Sequence, residues 1–370
     1  MTAGRLRKLG FIALPLMAFW ACDASAQAVG NVAAELGIAE STLPARDMPG
    51  WQKPKKIVIA PDNAERLAWF QDAFKGSGVT IVAGHSTAEL EKLIVDADAL
   101  IGTCLPTVIA AGQKLRWVQI INNGIDQCTS IPKIRDGQVI LTNMQRVSSS
   151  SVSNQAMALV LAIARQIPRA VNGQAQGTWS RDKSSLLDLD DKTLLIVGLG
   201  GIGTQIAERA HVFGMRVIAT RNSSHEGPSF VDYVGLSDEL PKLIATADFV
   251  VNATPLTPET TGLFNAAMFA RMKPTAIFIN IGRGKSVVTD DLLAALNNGT
   301  IGGAGIDVFD PEPLPAGHPL WTAKNILITP HTASNSEMQY DRIWQVMRDN
   351  ARRYAAGEKL LSPVDVKRGY

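Results

Sequence analysis

Leu194-Leu195-Ile196-Val197-Gly198-Leu199-Gly200-Gly201-Ile202-Gly203-Thr204-Gln205-Ile206-Ala207, running on to Arg216-Val217-Ile218-Ala219-Thr220-Arg221, is the stretch that decides the fold. Leu194 to Val197 is a short apolar run, as expected of a strand buried on both faces of a parallel sheet. Gly198-x-Gly200-x-x-Gly203 follows at once and gives each glycine a task. Gly198 permits the sharp turn, Gly200 lets backbone approach a pyrophosphate, and Gly203 lets the next helix pack closely on the strand. The unpaired amides and positive dipole end of that helix favour an anion, with no basic side chain required. Ile202, Ile206 and Ala210 give the helix an apolar face, Gly214 ends it, and Arg216 to Ala219 is the second strand. A lone glycine pattern also occurs in purely structural turns. The flanking strands and apolar helix face favour a dinucleotide-binding unit here.

The second strand ends in a departure that bears on the cofactor. An acidic residue about 20 positions on would hydrogen-bond a ribose 2′-hydroxyl, but Thr220, Arg221 and Asn222 stand there. Removing the carboxylate and supplying a guanidinium suits a 2′-phosphate, so NADP(H) is expected in preference to NAD(H). Arg221 as a solvated surface cation is the alternative.

At 370 residues the chain is long for one core, and two domains are expected. Hydrophobic residues at 46% and charged residues at 19%, without repeats or low-complexity tracts, argue against disorder and solenoids. The net charge of +2 is spread along the chain, so small ligands rather than nucleic acid are the expected partners. Arg5, Arg7 and Lys8 precede an apolar run from Leu9 to Cys22 and then Ala24-Ser25-Ala26, the three parts of a secretory signal peptide. Cleavage after Ala26 would leave a formally neutral chain with no membrane segment, because the apolar run is short for a span. Phe19-Trp20-Ala21-Cys22 places bulky aromatics where a lipoprotein site takes smaller residues. An exported, periplasmic location sits awkwardly with a cytosolic cofactor. A start downstream, for instance at Met48, would make the protein cytoplasmic. After cleavage only Cys104 and Cys128 remain, and their spacing does not say whether they pair.

Residues 27–54 read as a polar, proline-punctuated arm on the surface. Strand-like runs follow at Ile57 to Ala60, Thr80 to Val82, Ala99 to Ile101, Trp117 to Ile121 and Val139 to Leu141, with helical stretches at Glu65 to Phe74 and Thr87 to Val95. The loop Asn122-Asn123-Gly124-Ile125-Asp126 comes directly after a strand, where ligands of open α/β sheets gather and a glycine turn can offer amides to an anion. Ser151 to Arg165 is apolar on nearly every side, as in a helix buried between domains or subunits, and it motivates the expectation of a homodimer. Beyond the dinucleotide unit, strands are read at Phe249 to Asn252, Ala276 to Asn280, Gly303 to Val308 and Asn325 to Ile328, six with the first two. Asp290 to Leu296 is an intervening helix. Ser334-Asn335-Ser336-Glu337 reads as a capping box opening a last helix through about Ala356, apolar at Ile343, Val346, Met347 and Tyr354. The expected fold is α/β, with two doubly wound parallel-sheet domains. A Rossmann cofactor domain, residues 166–330, is inserted into a flavodoxin-like substrate domain, residues 55–165 and 331–370.

Polar groups fall where strands end in Asn280-Ile281-Gly282-Arg283-Gly284, in Gly305-Ile306-Asp307-Val308-Phe309-Asp310-Pro311-Glu312-Pro313 and in Thr329-Pro330-His331. With Pro255-Leu256-Thr257-Pro258-Glu259-Thr260 and His318-Pro319-Leu320-Trp321, these motifs resemble the D-isomer-specific 2-hydroxyacid dehydrogenase family from about Lys56 to the last helix. Arg283 to Glu312 is 29 residues and Glu312 to His331 is 19, similar to that family's Arg, Glu, His series. The resemblance implies that Asp307 holds the nicotinamide carboxamide and that Thr254, Pro255, Ile281 and Gly282 join Gly198, Gly200, Gly201, Ile202, Gly203, Thr220, Arg221 and Asn222 around the cofactor. It implies too that Asn122, Gly124 and Ile125 bind a substrate carboxylate through backbone amides, a plain turn being the alternative. Val152-Ser153-Asn154-Gln155-Ala156 departs from the family's usual Val-Ala-Glu-His-Ala, which bears on the substrate pocket more than on hydride transfer.

Reduction of a 2-keto acid needs such a set whether or not the family is invoked. A planar guanidinium at Arg283 can hold the carboxylate and polarise the carbonyl. His331 can exchange a proton with the alkoxide, and Glu312 can hold its other ring nitrogen. Singly, each has a plainer reading: a satisfied structural histidine, a loop cation, a turn acid. His85, His211, His225 and His318 lack such partners and are read as ordinary, and no metal is expected. The expected activity is therefore interconversion of a small 2-keto acid and its D-2-hydroxy acid with NADP(H). Phosphite or formate oxidation on the same scaffold, or a nucleotide-sensing protein without turnover, are the rivals.

Overall fold

Alternating apolar runs and helices build two parallel sheets from the residues that the computed structural model describes, 32–61, 63–179 and 186–369. The expected signal peptide, residues 1–26, lies outside the described residues. Strands are numbered in chain order. In the first half they are β1 (Glu40–Pro44), β2 (Lys56–Ile59), β3 (Thr80–Ala83), β4 (Ala99–Ile101), β5 (Trp117–Gln119) and β6 (Ile140–Thr142). A five-stranded sheet has the order β3-β2-β4-β5-β6, all parallel. That is the flavodoxin-like order, with its reversal beside the first strand.

The second sheet takes β7 (Thr193–Val197), β8 (Arg216–Thr220), β9 (Tyr233–Gly235), β10 (Phe249–Asn252), β11 (Ile277–Asn280), β12 (Gly303–Ile306) and β13 (Ile326–Ile328), in the order β13-β12-β11-β10-β7-β8-β9. The sequence led to an expectation of six strands, and the seventh is β9. It is three residues long, with Tyr233 exposed and a glycine at its end, so no apolar run announces it. Asp232 fixes its register instead: its amide donates to Val217 O at 2.8 Å and its carboxylate accepts from Val217 N at 2.8 Å. Every residue of β7 is buried. Leu194 and Ile196 pack into one apolar cluster and Leu195 and Val197 into another, because alternate side chains of a strand face opposite sides.

Three helices position the site: α1 (Ser149–Ala164), α2 (Gly201–Val212) and α3 (Gln339–Ala356). On α1, Val152, Leu159 and Ile163 join the cluster under the second sheet. A Cβ at Gly305 would lie 3.0 Å from Leu159 Cβ and 3.1 Å from Ile163 Cδ1, so the bare backbone of β12 is what lets α1 approach. One face of this helix is thus buried within its own chain.

Ile343, Val346, Met347 and Tyr354 on α3 are buried with Ile57, Phe70 and Trp117 against the first sheet. The helix opens at Gln339 rather than Ser334. Ser336 Oγ accepts from Gln339 N at 3.2 Å as a local cap, while Ser334 O accepts from Ser151 Oγ at 3.0 Å and serves as a tether. The amino-terminal segment also differs from the expected surface arm. Ala33, Ile38 and Ala45 are buried, and β1 pairs antiparallel with β14 (Lys359–Leu361). Those apolar residues are too scattered to show a period, yet together they close the edge of that core. Cys104 and Cys128 are paired as a disulfide, with Cα atoms 5.8 Å apart. Among the described residues no helix is long and apolar enough to cross a membrane.

Tyr354 stacks on Trp117 with ring centroids 4.8 Å apart, and its hydroxyl is buried with no hydrogen-bond partner among the described residues. Burial pushes its phenol pKa up. Tyr354→Phe removes an unsatisfied polar group and keeps the ring, so the melting temperature should hold or rise. Tyr354→Ala should cost about 3–5 kcal/mol as a large cavity. Thermal unfolding of both variants checks the pair, and a clear loss in Tyr354→Phe would show that the hydroxyl has a partner.

Candidate active site

The glycine turn after β7 has the shape a dinucleotide requires. Gly198 has φ 101°, and its amide and that of Leu199 both donate to Thr220 O, at 3.1 and 3.0 Å. A Cβ at Gly203 would overlap Gly198 O, while around Gly200 there is open space for an incoming group. Gly200 is the N-cap of α2 and Gly201 its first residue, so the first amides of α2 face that opening. Ile202 packs against the core from a half-buried position. At the end of β8, Thr220 is only 3% exposed, and its carbonyl is the acceptor for the glycine turn. Arg221, half-buried, donates from Nη1 to Glu226 O at 3.1 Å, and Asn222 is exposed.

Arg283 is held from below by a buried polar network. Asn252 and Asn280 are the last residues of neighbouring strands, both fully buried. Asn252 Nδ2 donates to Asn280 Oδ1 at 2.9 Å and to Ser286 Oγ at 2.7 Å. Asn280 Nδ2 and Ser286 Oγ both donate to Arg283 O, at 3.0 and 2.6 Å. Asn252 Oδ1 accepts from Thr254 N and Oγ1, at 3.1 and 2.7 Å, so the same asparagine fixes the start of the exposed Pro255 loop. Ile281 and Gly282 are buried between these loops, and a Cβ at Gly282 would lie 2.9 Å from Thr254 O. A network with every member satisfied rigidifies what it carries.

The Arg283 side chain reaches across to the first sheet. Nε donates to Asp126 Oδ2 at 2.8 Å and Nη1 to Gly282 O at 2.8 Å, while Nη2 lies so close to Gly124 that a Cβ there would overlap it. Asn122 is exposed, and Ile125 is buried among apolar neighbours, so Ile125 can contribute backbone only. No hydrogen bond among the described residues engages the amides of Gly124 and Ile125. A guanidinium and two amides without partners among the described residues thus occur in one loop region, the donor types a carboxylate needs.

His331 lies at the end of β13, at φ 52°. Its Nδ1 and Glu312 Oε2 are 2.8 Å apart, with side chains 50% and 34% exposed. Glu312 Oε1 accepts from Phe309 N at 2.7 Å, which pins the carboxylate in place. A Cβ at Gly284 would overlap the Phe309 backbone, so the loop carrying Arg283 abuts the loop carrying Glu312.

Asp307 lies beneath that loop. It is fully buried, and its carboxylate accepts from Thr329 Oγ1 at 2.6 Å, Thr332 N at 3.2 Å and Ala333 N at 3.1 Å, while Asp307 O accepts from His331 N at 2.8 Å. A carboxylate so enclosed shapes the loop that presents His331, and its Oδ2, with one donor from Ala333, keeps acceptor capacity. Asp126, Asn252, Ser286 and Thr329 were not singled out from sequence. The repeated asparagine at two strand ends was the available signal for Asn252. Gln155, at the position of the family departure, donates to Thr329 Oγ1 at 3.2 Å. Among the described residues no group of three His, Cys, Asp or Glu side chains converges to hold a metal.

Residues 157–333 match the model of the NAD-binding domain of D-isomer-specific 2-hydroxyacid dehydrogenases. The chain is 34% identical over 286 residues to human glyoxylate reductase/hydroxypyruvate reductase, covering 75% of this chain and 86% of that one. It is also 34% identical over 317 residues to the glyoxylate reductase of Korarchaeum cryptofilum, covering 83% and 94%. An NADPH-dependent glyoxylate/hydroxypyruvate reductase of Sinorhizobium meliloti, solved with NADP and sulfate, superposes with a TM-score of 0.73 at 27% identity, covering 85% of this chain and 100% of that one. With its two parallel sheets, its glycine turn and these relatives, the chain belongs to the D-isomer-specific 2-hydroxyacid dehydrogenase family.

Proposed function

We propose that this enzyme reduces small 2-keto acids to D-2-hydroxy acids, glyoxylate and hydroxypyruvate being the first candidates, with NADP(H) preferred over NAD(H). In this reading residues 166–330 carry the cofactor, and residues 55–165 with 331–370 carry the substrate. The observation that carries it is the 2.8 Å contact between His331 and Glu312, on a loop abutting Arg283, whose guanidinium lies against Gly124. The names of the human, archaeal and S. meliloti relatives support the substrate class.

When bound, the nicotinamide supplies the hydride, and the chain supplies position and charge. Arg283 and the amides of Gly124 and Ile125 hold the substrate carboxylate, and the guanidinium polarises the neighbouring carbonyl. His331 gives its Nε2 proton to the oxygen as negative charge develops there, and takes it back in the reverse reaction. Glu312 at Nδ1 orients the ring so that Nε2 is presented to substrate.

A panel of 2-keto acids followed by NADPH absorbance tests the reading. Turnover of none of them, with cofactor binding intact, would favour a sensor. Within an active enzyme His331→Ala should lower kcat on the order of 10²–10⁴-fold with little change in KM, whereas Arg283→Ala should also raise KM. Retained activity in His331→Ala would remove the proposed proton donor.

Cofactor preference rests on Arg221 and Asn222 at the end of β8, with no carboxylate between them. Arg221→Asp should shift the ratio of kcat/KM values toward NADH by about tenfold or more, equivalent to about 1.4 kcal/mol. An unchanged ratio would return Arg221 to the solvated surface.

Export is part of the same proposal, supported by the Cys104–Cys128 pairing, since disulfides persist in oxidising compartments. Sequencing the amino terminus of the native protein should find Gln27 first. A terminus near Met48 would place the enzyme in the cytoplasm.

A further inference from the structure

Arg146 stands beside the glycine turn with no role in the reaction above. Its backbone is left-handed, φ 71°, a conformation that favours glycine, and residues held so cluster at ligand sites. The side chain runs along the first residue of α2. A Cβ at Gly201 would meet Arg146 Cγ at 3.1 Å and Nε at 3.9 Å, so the glycine at this position leaves room for the arginine. The guanidinium continues toward the turn at Gly37, where a Cβ would lie 3.3 Å from Nη1. Arg146 is exposed, and no described residue pairs with its guanidinium.

Ser149 is an independent observation at the same point. It is 1% exposed, its Oγ has no hydrogen-bond partner among the described residues, and that oxygen lies 3.1 Å from the Cβ position at Gly201. A hydroxyl and a cation that have no partner among the described residues therefore flank the first turn of α2. Arg221 sits elsewhere, just beyond the end of β8, where the proposed reading puts the ribose end.

We propose that Arg146 binds the diphosphate of the dinucleotide, supplying the positive charge that the glycine turn itself lacks, with the Ser149 hydroxyl beside it. This rests on the dinucleotide-dependent reading above. Backbone amides and a helix end supply partial charge only, so a guanidinium closing over the two phosphates adds a charge-assisted bond that both NADH and NADPH would feel. The serine run at the start of α1 and the bare position 201 then have one explanation: they seat that arginine.

The test is direct binding of ADP-ribose by calorimetry, and of NADH and NADPH by nicotinamide fluorescence, to the full chain and to Arg146→Gly. Glycine suits φ 71°, so this variant should keep or raise the melting temperature. It should bind all three ligands about tenfold more weakly, with a shallower dependence of Kd on salt. Adding Gly201→Arg, which returns a guanidinium to the other side of the same gap, should restore most of the affinity. A role confined to loop structure would not allow that rescue. Unchanged affinity in Arg146→Gly, or a loss limited to NADPH, overturns the assignment while leaving the enzyme reading intact. Failure of the unaltered chain to bind any of the three overturns both.

Discussion

The buried carboxylate of Asp307 is the constraint on which the candidate site depends. A charge removed from water must be met by donors, and three converge on it from Thr329, Thr332 and Ala333. Those donors all belong to the segment after β13. Satisfying the carboxylate therefore folds that segment back over β12 and forces His331 into a left-handed backbone, with its ring turned to Glu312. The strain at His331 is sustained by the cost of stranding a buried anion.

The same logic operates one strand along. Asn252 and Asn280 end adjacent strands in register, Asn252 opposite Asn280, and their amides saturate one another, Ser286 and the carbonyl of Arg283. Two buried polar clusters under the carboxyl ends of β10, β11 and β12 thus fix the backbones of the two residues expected to touch substrate. Neither cluster need touch it. Their side chains are short and enclosed, whereas Arg283 and His331 project outward from loops, where a ligand can reach them.

Much of this was legible in the residues and some was not. Continuous apolar runs marked the strands buried on both faces, and the spacing of Gly198, Gly200 and Gly203 marked the turn. The apolar positions of α3 gave its face. The seventh strand escaped because β9 is held by the side chain of Asp232 rather than by an apolar pattern. The amino-terminal segment escaped because its pairing partner, β14, is about 300 residues away in sequence, a separation no local signal spans. Arg283, Glu312 and His331 could be named because their spacing resembles a known series. The burial of Asp307 and Thr220 could not be read beforehand, because burial is a property of the assembled loop and not of the residue type. Asp126 could not be found at all without the fold, since only tertiary structure brings it to Arg283.

The Asp126–Arg283 pair links the two sheets, and its modest strength suits that place. Both side chains are partly open to water, 37% and 29% exposed, so solvent screens the attraction, and exposed ion pairs contribute at most about 1 kcal/mol. In the proposed reading, a substrate carboxylate would meet donors from Arg283 and from the Gly124 and Ile125 amides, which have no partner among the described residues. It can therefore compete for the guanidinium while Asp126 keeps Nε and holds the fork in its plane. A fully buried partner would have locked Arg283 against exchange. A neutral one would have left the fork free to rotate away from Gly124, the one residue in that loop small enough to let it approach.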